Sequence, residues 1–370
     1  VIPVNIPSLG DEERAWLLRC LDSGWVSSEG PFVEGFERAF AERIGRRHGI
    51  AVANGTAALE VAVASLGIGA GDEVVMPSFT IVSCAAAVVR SGATPVFVDS
   101  DPLHWNMDVE SIEACITERT KAIMAVHTYG LPTDMTALMD IAERHGLTVI
   151  EDAAEAHGLS IGGRPAGGFG RVSTFSFYAN KAITTGEGGM VLTDDDELAS
   201  RCRSLRNLCF GPVHRFVHEQ LGWNYRMTSM QAALGMAQLE RMEGLLRHRK
   251  GLGDLYRERL NDIPHLQLPL DSCFGSMNTY WVFGIVLKDG CPVRRDDMMD
   301  RLSARGVGSR PFFWPMHEQP VFQRMGLASG YSLPVSERLG RDGMYLPLGN
   351  GIGSDDVERV CEAVHDLLKT

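Results

Sequence analysis

HGIAVANGTAALEVAVASLGI, residues 48–68, reads as a strand, a turn and a helix in direct succession. Residues 50–53 are a short apolar run of strand length. Asn54-Gly55-Thr56 is turn chemistry, and residues 57–66 are apolar almost all round, as in a helix buried on every side. A helix starting directly behind such a turn leaves its first N–H groups free, which suits an anion and a phosphate in particular. The plainer alternative is a Thr56 that caps the helix and binds nothing.

The same punctuation repeats outward. Residues 73–76 form a strand before Pro77-Ser78, and 80–90 a helix. Residues 94–99 and 121–127 are strands, the second running into His127-Thr128-Tyr129-Gly130; helix 135–144 and strand 147–150 follow. Strands alternating with helices at this spacing predict an α/β fold with a mostly parallel central sheet flanked by helices. In such sheets ligands sit at the carboxyl ends of the strands. His127, the Glu151-Asp152 pair and the Gly55-Thr56 turn fall there.

Ahead of this unit, residues 11–21 read as a helix ended by Ser23-Gly24, and 31–43 as a helix with Phe32, Phe36 and Phe40 on one stripe. Such a stripe serves core or subunit packing. Beyond it, 234–257 read as a long helix with Gly244 a weak point. The pattern then changes. Residues 281–287 alternate as an antiparallel strand does, and 296–305 and 355–368 read as helices. The change near 245 divides the chain into a large domain, 1–245, and a smaller C-terminal α+β domain, 246–370.

The 370 residues are 45% apolar and 22% charged, an ordinary globular composition with ample core. A formal charge of −12 argues against nucleic acid and anionic membrane as partners, though not against small anions met by local charge. No apolar run approaches the roughly 20 residues that span a bilayer. The opening VIPVNIPSLGDEE lacks the basic start and apolar core of a signal peptide. The eight cysteines are scattered without a C-x-x-C pair, which predicts reduced thiols, no zinc site and a cytoplasmic location.

STFSFYANKAITTGEGGMVLT, residues 173–193, places Lys181 in an apolar, aromatic, β-prone segment before a Gly-rich turn. One reading is a strand-edge lysine reaching solvent. The other is a desolvated amine, neutral and nucleophilic, able to form a Schiff base. Asp152, behind the apolar run LTVI, is either a helix-capping acid or a carboxylate facing the cleft. Ser176 is a further phosphate donor. A Schiff-base lysine, an acid for a pyridine nitrogen and a phosphate cup are together what pyridoxal phosphate (PLP) requires.

The segments NGTAAL, GDEVVMPSFT, GATPVFVD, VHTYG, VIEDAAEAHG, STFSFYANKAITTGEGGM, NYRMTSMQAALGMAQLER and SRPFFWPMH resemble, over nearly the whole chain, the nucleotide-sugar aminotransferase family of fold-type I PLP enzymes. The opening and the last two segments are most similar to members that aminate C4 of a GDP-linked 4-keto-6-deoxy sugar for polysaccharide synthesis. The resemblance implies Lys181 as the Schiff-base lysine and Asp152 against the pyridine nitrogen. It implies Glu155 near the ring hydroxyl and Gly55, Thr56 and Ser176 on the phosphate. Asn224 would reach the neighbouring subunit's cofactor, so the active site would need a homodimer. His218, Arg226, Arg310 and His317 are candidates for the substrate side, with Arg215 a further cation for its phosphates. His317 can equally be a satisfied loop histidine and Arg226 a structural ion pair. L-Glutamate is the expected amino donor.

Relatives that dehydrate the sugar carry His where this chain has Lys181, which favours transamination. Ile81 stands where relatives usually stack an aromatic ring on the cofactor, and Phe216-Val217 where they often show Tyr-Trp before the histidine. The alternatives are an aminotransferase for a UDP- or dTDP-linked ketosugar or an aminocyclitol ketone, a PLP-fold regulator without turnover, and a phosphate-binding α/β enzyme without PLP.

Overall fold

A computed structural model of the protein describes residues 1–211 and 213–368. An extended arm comes first, its Ile2 bridged to Val307. Then come α1 (Asp11–Ser23) and α2 (Pro31–Ile44), each ending on a left-handed glycine, Gly24 and Gly45. The phenylalanine stripe of α2 packs inward: Phe36 and Phe40 are wholly buried, and Phe40 meets Phe175 and Phe177 edge-on at 4.9 and 5.0 Å.

Alternation then takes over: β1 (His48–Val52), α3 (Gly55–Ser65), β2 (Glu73–Pro77), α4 (Val82–Arg90), β3 (Thr94–Val98), β4 (Thr120–Val126), α5 (Met135–His145) and β5 (Thr148–Asp152). A small hairpin, β6 (Ser160–Ile161) and β7 (Arg164–Pro165), leads to β8 (Val172–Ser176), β9 (Gly189–Thr193) and α6 (Asp196–Arg206). Among the described residues seven strands make one sheet, in the order β1-β9-β8-β5-β4-β2-β3. Only β9 runs against the rest; it is antiparallel to both β1 and β8. Covered on both faces, these strands are mostly apolar, with Glu151, Asp152 and Ser176 falling at the ends of β5 and β8. On β2, Val75 joins the core beneath α2 and α5, while Val74 and Met76 join the core beneath α3 and α4.

The long helix α7 (Ser229–Leu260) passes straight through position 245. Gly244 does not interrupt it, and a side chain there would meet open space. Beyond it lie β10 (Leu266–Gln267), the hairpin β11 (Ser272–Cys273) and β12 (Ser276–Met277), β13 (Phe283–Leu287), α8 (Arg295–Ala304), β14 (Arg310–Pro311), α9 (Pro320–Arg324), α10 (Pro334–Asp342), β15 (Gly343–Leu346) and α11 (Ser354–Leu368). Strands β10, β13, β15 and β14 form an antiparallel sheet, as the alternation at 281–287 predicts. Its core joins the second half of α7 to α8 and α11, and it also holds Ile2 of the arm. Among the described residues no helix is long and apolar enough to cross a membrane.

Candidate active site

The carboxyl ends of the parallel strands open onto a cleft of about 690 Å³, a size suited to a small-molecule ligand. Gly55, Thr56, Ile81, Asp152, Glu155, Ser176 and Lys181 all line it. The cap of α3 is Asn54, whose side chain accepts the Ala57 N–H at 2.8 Å. Gly55 and Thr56 are therefore the first helical residues rather than a turn, and Thr56 is not the cap. Its hydroxyl instead lies 2.9 Å from Ser83 Oγ. The start of α3 presses on β8: a Cβ on Gly55 would stand 2.8 Å from Ser176 Cβ. The cup between them admits no side chain, while N–H groups and the Ser176 hydroxyl border it. Ile81 is the residue just before α4 and stays partly exposed on the cleft wall.

Asp152 ends β5 and is 2% exposed. One carboxylate oxygen accepts from the Ala154 N–H at 3.0 Å and the Thr174 hydroxyl at 3.4 Å. The other accepts from the Cys84 thiol at 3.1 Å. Among the described residues no cationic nitrogen lies within ion-pair distance of it. A buried carboxylate without a cation is costly, and its open place at the cleft suits a protonated ring nitrogen. Its neighbour Glu151 points to the other face of the strand. There it accepts from the Gly167, Phe169 and Gly170 N–H groups at 2.5, 2.8 and 3.1 Å. His127, also on the cleft wall, completes this network. The Thr133 N–H donates to its Nδ1 at 3.2 Å, so its proton is on Nε2 and is donated to Glu151 Oε1 at 2.9 Å. Burial raises the Glu151 pKa, but these donors outweigh it and hold the carboxyl below its usual range.

Lys181 is the centre of the electrostatics. Its side chain is 10% exposed, with Nζ 3.9 Å from the Trp281 ring centre and 3.6 Å from Glu155 Oε1, ion-pair rather than hydrogen-bond range. Burial pushes its pKa below the ordinary lysine range, while the charges of Glu155 and Asp152 pull it back up. Burial also pushes Glu155 up to about 7, against the pull of Lys181 and of the Tyr129 N–H it accepts at 2.9 Å. An amine and an acid drawn toward each other's pKa, in a cleft, are the marks of a proton-transfer site.

The chain matches the DegT/DnrJ/EryC1/StrS aminotransferase family over residues 7–365. It belongs to that family. The aminotransferase is 42% identical over 367 residues to the GDP-perosamine synthase of Caulobacter vibrioides, covering 99% of this chain and 98% of that one. With the GDP-perosamine synthase of Vibrio cholerae it shares 40% over 364 residues, 98% of each chain. Its fold superposes on the aminotransferase TlmJ from Streptoalloteichus hindustanus with a TM-score of 0.92 at 32% identity, covering 100% of this chain and 99% of that one. The family is that of PLP-dependent sugar aminotransferases. The residues of this cleft fit that cofactor: a withdrawn amine, an unpaired buried carboxylate and a cup closed to side chains.

Other expected site residues stand apart from the cleft of their own chain. Asn224 is exposed beside Tyr225, whose hydroxyl donates to Glu60 at the cleft's far end. Arg226 donates to Asn207 Oδ1 at 2.7 Å and lines a separate hollow with Arg203, Arg206, Arg215 and Trp25. His218 lies in an exposed loop, its Nδ1 2.9 Å from the Leu208 carbonyl. Arg310 is exposed opposite Tyr345 in the sheet register, and the Tyr345 ring does line the cleft. His317 is buried, with Nδ1 2.7 Å from Ser78 Oγ and Nε2 3.3 Å from Glu337.

The structure adds residues to which the sequence reading gave no role. Trp281 and Phe313 wall the cleft, and Cys84 is bonded to Asp152. Trp281 stood in view as one end of an alternating run. The pairing of Cys84 with Asp152 joins α4 to β5 and leaves no spacing signal.

Proposed function

We propose that this aminotransferase moves an amino group from L-glutamate to C4 of GDP-linked 4-keto-6-deoxymannose, giving GDP-perosamine. The observation that carries the nucleotide and sugar is the full-length 42% identity with a synthase of that product. When bound, PLP supplies an aldehyde carbon that carries nitrogen from donor to ketone and a ring that takes up the electron pair. In this reading the first N–H groups of α3, at Gly55 and Thr56, and the Ser176 hydroxyl hold its phosphate. Asp152 faces the ring nitrogen and keeps it protonated. Glu155 faces the ring hydroxyl, and Ile81 covers the ring with an aliphatic surface. Lys181 Nζ, made less basic by burial, takes a proton from the donor's α-carbon and returns it at the end of the transfer. Trp281 and Phe313 exclude water beside it.

The working unit in this reading is a homodimer. Asn224, Arg226 and His218 stand outside their own cleft, exposed or half-buried, where a second copy would receive them. There Arg226 and His218, with Arg310, would meet the charged substrate. His317, engaged by Ser78 and Glu337, would support the wall from behind. The lobes 1–245 and 246–370 would meet along α7.

The test is incubation of purified protein with L-glutamate and GDP-4-keto-6-deoxymannose, with UDP- and dTDP-linked 4-ketosugars in parallel. The expected result is a GDP-amino sugar detected by mass. Preference for another nucleotide, or no amino sugar from any of them, overturns the assignment.

A further inference from the structure

Arg249, in the middle of α7, is 1% exposed and forms no ion pair among the described residues. It shares an apolar face with Leu245, Leu252 and Tyr256, where a leucine would satisfy the packing. Its guanidinium donates instead to three backbone carbonyls: Trp281 at 2.9 Å, and Asn180 and Lys181 at 3.2 Å each. Its Nε has no partner. A charge held only by carbonyl dipoles is expensive, and a neutral amide could bond the same carbonyls at lower cost. Burial pushes its pKa down only to about 10, so it stays charged at neutral pH. The Asn180 carbonyl also accepts from the Trp281 indole N–H at 3.2 Å and from the Asn5 amide at 3.5 Å.

We infer that Arg249 is a positioning residue for Lys181: it clamps the Asn180–Lys181 backbone to Trp281 and sets a fixed positive charge against the Lys181 carbonyl, where it disfavours a second charge on the amine. The charged and titratable groups around Lys181 are Glu155, Asp152, His157 and Arg249. Glu155 and Asp152 favour the ammonium, as does the Trp281 face; Arg249 opposes them and acts with burial. Burial, helped by the Arg249 charge, pushes His157 down to about 3, so it adds no charge of its own. Without Arg249 two acids and an aromatic face would surround the nitrogen with only burial against them. This rests on the reading of Lys181 as the reactive amine.

The test is the pH dependence of Lys181 acylation by acetic anhydride in the cofactor-stripped full chain, followed by peptide mass spectrometry, with thermal unfolding as the check on folding. Arg249→Met should move the labelling midpoint up by roughly one pH unit. Arg249→Gln, which can still bond carbonyls, should do the same and replaces Met if that variant does not fold. Arg249→Lys keeps the charge and should leave the midpoint near wild type, while kcat of the loaded enzyme falls and KM for glutamate holds. A folded Met or Gln variant with an unmoved midpoint overturns the inference, as does a Lys variant that shifts as far as Met. Unimpaired amination by Lys181→Ala would instead overturn the role of Lys181, so the two failures are told apart.

Discussion

Lys181 Nζ lies 3.6 Å from Glu155 Oε1, with both side chains almost wholly withdrawn from water. Whether the proton is on nitrogen or on oxygen, the pair carries no net charge. A proton can therefore change sides without placing a new charge in the cleft, which makes the two groups one titrating unit.

Replacing Lys181 by alanine should abolish amination, by roughly 10²–10⁴-fold or more, because the group proposed to move the proton is gone. The amino-sugar assay reads this directly. A Lys181→Ala enzyme retaining a tenth of wild-type turnover would show that another group carries the proton.

Asp152→Asn keeps an oxygen for the Ala154 N–H and the Thr174 hydroxyl, so the fold should hold. The lost negative charge should lower kcat by roughly 10²–10³-fold. Circular dichroism and kcat measured together check it; a parallel loss of secondary structure would mean that Asp152 serves the fold instead.

Gly55→Ala sets a methyl 2.8 Å from Ser176 Cβ, inside van der Waals contact. Alanine favours the helix it would join, so a loss cannot come from helix propensity. Affinity for PLP should fall at least tenfold, about 1.4 kcal/mol, by fluorescence titration. Unchanged affinity would place the phosphate elsewhere.

The Glu155 carboxyl is raised from 4.5 to about 7, chiefly by burial. The folded protein thus holds a proton that the unfolded chain has released. The stability this contributes is fully present below about pH 4.5 and lost as pH rises through about 7. In the cofactor-free chain, Glu155→Gln should flatten the fall in melting temperature between pH 5 and 8. A slope equal to that of wild type would count against a raised Glu155.

Glu151 has the opposite sign. Its carboxyl is held below 4.5 by His127 and backbone donors despite burial. Its stabilisation is present above that pH and is lost as pH falls through the lower folded value. Glu151→Gln places an amide donor against donors already there and should cost roughly 3 kcal/mol or more in urea unfolding. A cost under about 1 kcal/mol would show that the loop at 167–170 is held by other means.

The alternation of strands and helices was legible because a sheet covered on both faces demands short apolar runs, such as Val74-Val75-Met76. Lys181 stood out as a cation among Phe175, Phe177 and Ile183, yet that stretch fits a solvent-reaching lysine too, and it is the fold that shows the side chain withdrawn. Element edges were less legible: the helix read from residue 57 begins at Gly55, since the capping side chain is Asn54. Arg249 was hidden for another reason. Its partners are backbone carbonyls 32, 69 and 68 positions away, and carbonyls leave no trace in residue identity. That Asn224 and Arg226 would stand outside the cleft of their own chain left no trace in composition or spacing either.

The Asn180 carbonyl draws donors from three distant parts of the chain, one of them Asn5 in the extended arm, whose amide also bonds the Leu348 carbonyl at 2.8 Å. The arm is thus wired to the residue next to Lys181. A purification handle or fusion partner that tugged the first few residues from their groove would be felt at the chemistry some 175 positions later.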